Sequence, residues 1–176
     1  MIASGQNDSV ILAPLAYSGS AVARWAAGGD LNPVLVDTLK QLQDSNYRIT
    51  SVLWVQGEAD LVIGTTAEAY RDHFMSMVDT LRQHGVVAPV YISIASKCLE
   101  PSNGGFKEHI PDNAIVRAQL ALSKSGHGIR EGVNSDALLD GDDRYDDCHF
   151  GGTAGEKASQ AWLNLLRSDG RLETSR

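Results

Sequence analysis

Short apolar runs alternate along the chain with longer segments in which apolar residues recur every three or four positions. The runs lie at 10–16, 49–55, 86–95 and 129–133. Their length and their β-branched residues predict buried strands. Pro14 interrupts the first run, which predicts a bulge or an unpaired position there. Strands that alternate with helices favour a parallel sheet with helices on both faces.

The segments between the runs predict helices. The clearest spans 67–84 and ends before Gly85, because its apolar residues form one stripe at helical spacing. Asn113 is a suitable N-cap for a helix that runs to Ser123. The other predicted helical segments are a short turn at 21–25, a helix that starts near Pro33, and a closing helix over 155–167. Residues 97–111 are predicted to form a polar loop.

The composition is typical of one globular domain, predicted over 1–167 and followed by a frayed tail at 168–176. The chain has 176 residues, of which 43% are hydrophobic and 21% are charged. A net charge of -7 disfavours a nucleic-acid or anionic-membrane partner. No run of about 18 apolar residues predicts a membrane span. The first residues lack the basic start and apolar centre of a signal peptide.

Three loops follow predicted strands and are expected to meet, because active groups collect at the carboxyl ends of parallel strands. They are Ser18–Ser20, Gln56–Glu58 and the glycine-bounded stretch 140–152.

The stretch at 140–152 places Asp146 three residues before His149. An imidazole can take a proton near neutral pH, and a carboxylate can hold it in the required tautomer. This spacing is common, so a solvated surface pair is the alternative interpretation. Asp147 is an alternative partner for the ring.

The second loop offers an amide and a glycine directly after a strand. The Gln56 side chain can donate to an oxyanion, and Gly57 allows close backbone approach. The alternative is an amide that only ties two loops together. Glu58 is expected to bond backbone and shape the pocket, with acid catalysis as the alternative. Gly19 can present a backbone N–H to the same oxyanion, or serve only as a turn.

Two cysteines are present, and they do not form a CxxC pair. Cys98 follows the third predicted strand and Cys148 precedes His149, so both are expected near one sheet edge. A disulfide would close a loop of roughly 50 residues and add about 3–4 kcal/mol of stability; two free thiols are the alternative. The remaining histidines show no metal-ligand spacing, and no metal is expected; they are His73, His84, His109 and His127.

Four stretches together resemble the SGNH-hydrolase superfamily, in its carbohydrate esterase branch of sialate O-acetylesterases and acetylxylan esterases. The most specific is Trp54–Asp60, which is similar to the W-x-Q-G-E-x-D block of that branch. The others are 16–25, 70–82 and 146–150. The resemblance implies a three-layer α/β/α, flavodoxin-like fold.

The same resemblance implies a function. The activity would be hydrolysis of an acetylated carbohydrate with release of acetate and without a cofactor. His149 and Asp146 would be triad members, and Gly19 and Gln56 would be oxyanion donors. The family also suggests a secreted or periplasmic location.

The chain departs from this pattern at the nucleophile. The family's first strand ends in a G-Q-S-N-like turn that supplies the serine and precedes the second block by several tens of residues. Here Ser4 and Ser9 lie before the wrong strand, whereas Ser18 and Ser20 occupy the oxyanion turn. We therefore expect the nucleophile to lie outside this chain, in a missing N-terminal segment that carries the first, central strand.

Two other hypotheses are open. One is a catalytically inactive relative that binds carbohydrate or has a structural role. The other is an unrelated flavodoxin-like binding module, which would need a phosphate-cradling glycine loop; the sequence shows no such pattern.

Overall fold

A small parallel sheet forms the centre of the fold. The computed structural model describes residues 9–98, 101–102, 105–106, 110–139, 143–146 and 148–170. The strands β1 (Val52–Trp54), β2 (Val90–Ile94) and β5 (Ile129–Asn134) form a sheet in the order β1-β2-β5. Both pairings are parallel. The predicted α/β class with a parallel sheet is therefore confirmed.

Helices cover the sheet on both faces. The α-helices are α1 (Asn32–Asp44), α2 (Glu58–Val62), α3 (Ala67–Gln83), α4 (Ala114–Ser123), α5 (Ser135–Leu138) and α6 (Ala154–Ser168), with a 3₁₀ turn at Val22–Arg24. Asn113 caps α4 as predicted, because its Oδ1 accepts from the backbone N–H of Ile115 and Val116, each at 3.0 Å. The helices α2 and α5 were not predicted, since they are too short to show a period.

The sequence prediction of a loop over 97–111 was incomplete. The segments β3 (Pro101–Ser102) and β4 (Gly105–Phe106) form a separate two-stranded antiparallel ladder.

The core lies mainly on one face of the sheet. Val90 and Ile92 of β2 are fully buried there, in one cluster with Phe74 of α3 and Ile115 of α4. Tyr91 points to the opposite face, where its ring lies 6.3 Å from that of Trp162 in α6. Alternate residues of β2 thus fill two separate layers, as expected of a strand buried on both faces.

The predicted strand over 10–16 is wrong. No described residue of this segment is in a strand, and Ile11 and Leu12 are 59% and 75% exposed. Strand backbone needs a partner for its N–H and C=O groups. In the described part of the chain, β1 pairs only with β2, so the 10–16 segment has no strand partner. The second predicted strand, 49–55, is shortened to the three residues of β1.

Among the helices described, none has the length and apolar character needed to cross a membrane.

Candidate active site

The aspartate and histidine predicted in the C-terminal loop are hydrogen-bonded to each other. Asp146 Oδ2 lies 2.7 Å from His149 Nδ1. The other carboxylate oxygen accepts from the backbone N–H of His149 at 2.7 Å and of Cys148 at 3.1 Å. One carboxylate therefore fixes both the ring and the main chain behind it. These hydrogen bonds, the backbone bond from His149 first, lower the pKa of Asp146. Asp147 lies outside the described residues.

The pair is open to solvent. The side chains of His149 and Asp146 are 58% and 41% exposed. Tyr145 stacks on the imidazole with ring centroids 5.7 Å apart and planes 18° apart, and its backbone N–H donates to the His149 carbonyl at 3.2 Å. Across the described residues no hydrogen bond to His149 Nε2 is found. With Nδ1 held by the carboxylate, Nε2 is the nitrogen that can exchange a proton with a ligand.

Two anchors attach this loop to the sheet. A disulfide joins Cys148 to Cys98, the first of the two alternatives that the sequence left open. The second anchor, Arg144, was missed. Its guanidinium donates to the carbonyls of Lys97, at 3.0 Å, and Cys148. Arg144 is the single cation in the acidic stretch 140–147, which is the signal that could have identified it.

The Q-G-E turn after β1 is tied to its neighbours through Gln56. The amide nitrogen of Gln56 donates to the Ser20 carbonyl at 3.1 Å and to Asp60 Oδ2. Its oxygen accepts from the Tyr70 hydroxyl at 3.2 Å. Both amide hydrogens are thus engaged within the protein. The amide ties two loops together here, and its role as an oxyanion donor stays a prediction.

Gly57 is required by close backbone packing. A Cβ at this position would lie 2.0 Å from the Ala95 carbonyl oxygen and 2.6 Å from Gln119 Nε2. Gln119 is fully buried and donates to the Gln56 carbonyl at 2.9 Å, while its oxygen accepts from the Ala95 N–H at 3.1 Å. It therefore joins the ends of β1 and β2. The signal for this role was a polar residue on the apolar face of α4.

Gly19 forms the turn that faces Gln56. It has φ of 64°, and a Cβ built there would have no neighbour within 4 Å. The next residue, Ser20, is buried, and its hydroxyl accepts from Trp25 Nε1 at 3.1 Å. Ser20 is thus engaged in packing. Ser9 and Ser18 are exposed, and Ser4 lies outside the described residues.

Asp60 links the Q-G-E turn to the segment that follows the Gly19 turn. It is completely buried, and its Oδ2 accepts from the Val22 N–H at 2.8 Å as well as from Gln56. Its Oδ1 has no hydrogen-bond partner among the described residues. A buried carboxylate oxygen without a donor is costly, so this position is suited to receive an additional donor.

Glu58 is the acidic residue of the Q-G-E turn and begins α2. Burial raises the pKa of Glu58; the nearby Asp136 carboxylate raises it further, and the Arg144 guanidinium lowers it. Glu58 therefore lies within electrostatic range of Asp136 and Arg144. The Gln56–Ser20 contact joins the first two predicted loops, and Arg144 attaches the histidine loop to the segment that follows β2.

A histidine oriented by a carboxylate is the proton-transfer part of a serine-hydrolase type of site. Comparison with known proteins agrees with this class. Residues 1–160 match the family described as carbohydrate esterase, sialic acid-specific acetylesterase. The chain belongs to this family, and the resemblance to the carbohydrate esterase branch of the SGNH hydrolases is confirmed.

A probable carbohydrate esterase of Arabidopsis thaliana is 29% identical over 126 residues. The alignment covers 68% of this chain and 44% of that protein, so the chain spans less than half the length of this curated relative. No solved structure gives a significant match.

Proposed function

We propose that this chain carries the base and the pocket of a serine-type carbohydrate O-acetylesterase whose nucleophile comes from outside residues 1–176. The observation that carries the proposal is the 2.7 Å contact between Asp146 and His149 Nδ1. Membership of the acetylesterase family supports the reaction class, and the printed name of the plant relative supports a carbohydrate substrate.

His149 acts as base and then as acid. Asp146 keeps the ring proton on Nδ1, so Nε2 takes the proton of the serine as its oxygen attacks the acetyl carbonyl. The protonated ring then gives that proton to the leaving sugar oxygen as the ester bond breaks. A water molecule attacks the acetyl-serine with the same assistance, which releases acetate and restores the serine hydroxyl. None of these steps requires a cofactor.

The oxyanion is stabilised by the Gly19 N–H and the Gln56 amide. The open space above the Gly19 turn leaves room for the acetyl group. Gln56 donates to the Ser20 carbonyl in this structure, and that hydrogen would have to be shared with, or turned toward, the developing negative charge. Each such donor contributes about 2.7–4 kcal/mol to the transition state.

Two features support a nucleophile on an added strand. The free edge of β1 can take another parallel strand, and the end of that strand would lie at the same sheet edge as Gln56. Asp60, which accepts from Gln56 just after β1, has a buried Oδ1 without a donor among the described residues. A turn that follows the added strand would supply the serine and a donor for Asp60.

The natural gene product tests the proposal directly. It is assayed for acetate release from a chromogenic acetyl ester and from acetylated sugars. Changing His149→Ala should reduce kcat/KM by about 10²–10⁴-fold, the usual contribution of an acid–base group. His73→Ala is the matched control, because that histidine lies on α3 and has no proposed role in the reaction. Turnover that is unaffected by His149→Ala would refute the proposed base.

A second function is favoured by one observation. Both hydrogens of the Gln56 amide are satisfied within the protein, so neither is free to stabilise an oxyanion. This favours a pocket that binds an acetylated sugar without cleaving it. Sugar binding by the natural product, measured by calorimetry, with no acetate release would support this catalytically inactive carbohydrate-binding protein.

A further inference from the structure

We infer that Arg144 is the positioning residue of the histidine loop: its buried guanidinium, rather than the Cys98–Cys148 disulfide, keeps Asp146 and His149 hydrogen-bonded. The inference rests on the proposed function only in assigning His149 as the base.

Arg144 is buried at the point where the loop meets the sheet. Its side chain is 2% exposed, and Nη1 bridges the carbonyls of Lys97, which follows β2, and Cys148, which precedes His149. The other guanidinium nitrogens contact the carbonyls of Leu139 and Ser135, each at 3.5 Å. One planar side chain thus holds three segments of the chain through four hydrogen bonds.

The charge of the guanidinium is compensated inside the protein. Asp136, 9% exposed, lies 3.8 Å from it. Asp136 is itself fixed, since it accepts from the backbone N–H groups of Ser96 and Lys97 and from the Ser96 hydroxyl. The guanidinium charge also lowers the pKa of Glu58, against the larger effect of burial, which raises it. Removing one member of a buried, hydrogen-bonded charge cluster leaves the others uncompensated. Loss of Arg144 is therefore expected to disturb the position of Asp136 and of the loop attached to it.

Arg144 acts on the dyad through a single peptide group. The carbonyl of Cys148 and the N–H of His149 belong to the same planar unit. Arg144 donates to the carbonyl end of this unit, and Asp146 accepts from its N–H end at 2.7 Å. Tilting the unit would break the bond to Asp146 and turn the carboxylate away from Nδ1. The guanidinium carbon of Arg144 also lies over the Phe150 ring, 5.3 Å from its centroid.

The disulfide constrains a different degree of freedom. It attaches through the Cys148 side chain and therefore restricts where the loop lies, whereas the orientation of the next peptide group depends on the backbone torsions. Breaking the disulfide is thus expected to lower stability and leave the dyad intact. Losing Arg144 is expected to release the dyad while the disulfide stays closed.

Long-range proton–nitrogen NMR of the histidine rings tests this in the chain itself. The variants are Arg144→Gln, Arg144→Lys and the double change Cys98→Ser with Cys148→Ser. Wild type and the cysteine variant should show His149 protonated at Nδ1. Arg144→Gln should shift the tautomer ratio by about ten- to hundredfold, the equivalent of one hydrogen bond to a charged group.

An internal reference separates loop effects from unfolding. His84, directly after α3, has Nδ1 2.9 Å from the Thr80 carbonyl and is far from the loop in sequence, so its signal reports the intact fold. If Arg144→Gln loses both signals, Arg144→Lys is decisive: it keeps the charge but lacks the planar fork, and it should lose the His149 pattern alone.

A His149 pattern that is retained in both arginine variants, or lost in the cysteine variant, would overturn the inference. Neither readout requires ester hydrolysis, so the expected NMR pattern together with an inactive natural gene product would contradict the proposed function and leave this inference standing.

Discussion

Gly57→Ala places one methyl group where the structure has no space. The new Cβ would lie 2.0 Å from the Ala95 carbonyl oxygen and 3.0 Å from Ile115 Cγ2. It would also lie 2.6 Å from Gln119 Nε2, the atom that bonds the Gln56 carbonyl. The backbone oxygen belongs to the segment that follows the central strand, so it cannot move without disturbing the sheet.

The expected cost follows from two contributions. Overpacking a filled site costs about 1–3 kcal/mol. Displacing Gln119 removes the bond that its oxygen accepts from the Ala95 N–H, and an unsatisfied buried donor costs about 1–3 kcal/mol more. The total of about 2–6 kcal/mol corresponds to a fall in Tm of roughly 4–24 °C for a protein of this size.

Urea unfolding and thermal melting of the chain measure this loss. Gly155→Ala is the matched control, because Gly155 lies in α6 and a Cβ there meets nothing within 4 Å. Replacing that glycine, the second residue of α6, should stabilise the protein by at most about 1 kcal/mol. A Gly57→Ala variant within about 0.5 kcal/mol of wild type would show that the Q-G-E turn is not packed as described.

Three further changes probe the same edge of the sheet. Tyr70→Phe removes the hydroxyl that accepts from Trp54 Nε1 and shares its hydrogen between the backbone and side-chain oxygens of Gln56; it should lower the free energy of unfolding by about 1–3 kcal/mol in urea titrations, and an unchanged midpoint would contradict this. Burial raises the pKa of Glu58 from 4.5, so folding favours the protonated carboxyl. The contribution of this carboxyl to the free energy of unfolding is complete below pH 4.5 and is lost as pH rises through the raised pKa, where the buried group becomes charged. Glu58→Gln should therefore raise Tm at pH 7 and have a smaller effect at pH 4; an equal effect at both would refute the assignment. Replacing Cys98 and Cys148 together by serine should cost up to about 4 kcal/mol, and a variant as stable as wild type would argue against the disulfide.

The parts of the fold that the sequence predicted correctly are those with a strong local signal. The helix α3 has a continuous apolar stripe and an N-capping Thr66, whose hydroxyl accepts from the Ala69 N–H at 3.1 Å, and its predicted and observed bounds agree within one residue. The failure at 10–16 has a different origin. Its apolar character was evident, but whether a strand forms depends on a partner strand that local sequence cannot reveal.

The sequence predicted the proton-transfer pair of the candidate site but not the residues that hold the surrounding loops in place. Asp146 and His149 were identified because a carboxylate and an imidazole at this spacing suggest proton transfer. Arg144 and Gln119 each bond a backbone carbonyl that is remote in sequence, that of Lys97 and that of Gln56, and no short motif encodes such contacts. For Gln56 the two interpretations were both apparent, and only the hydrogen-bond partners show that the amide ties two loops in this structure.

The most direct test of the central claim is to label the natural gene product with a fluorophosphonate, which reacts covalently with activated serines, and to locate the label by mass spectrometry. The account predicts one labelled serine outside residues 1–176 and loss of the label in His149→Ala. A label on a serine within this chain, or labelling that persists without the His149 imidazole, would contradict it.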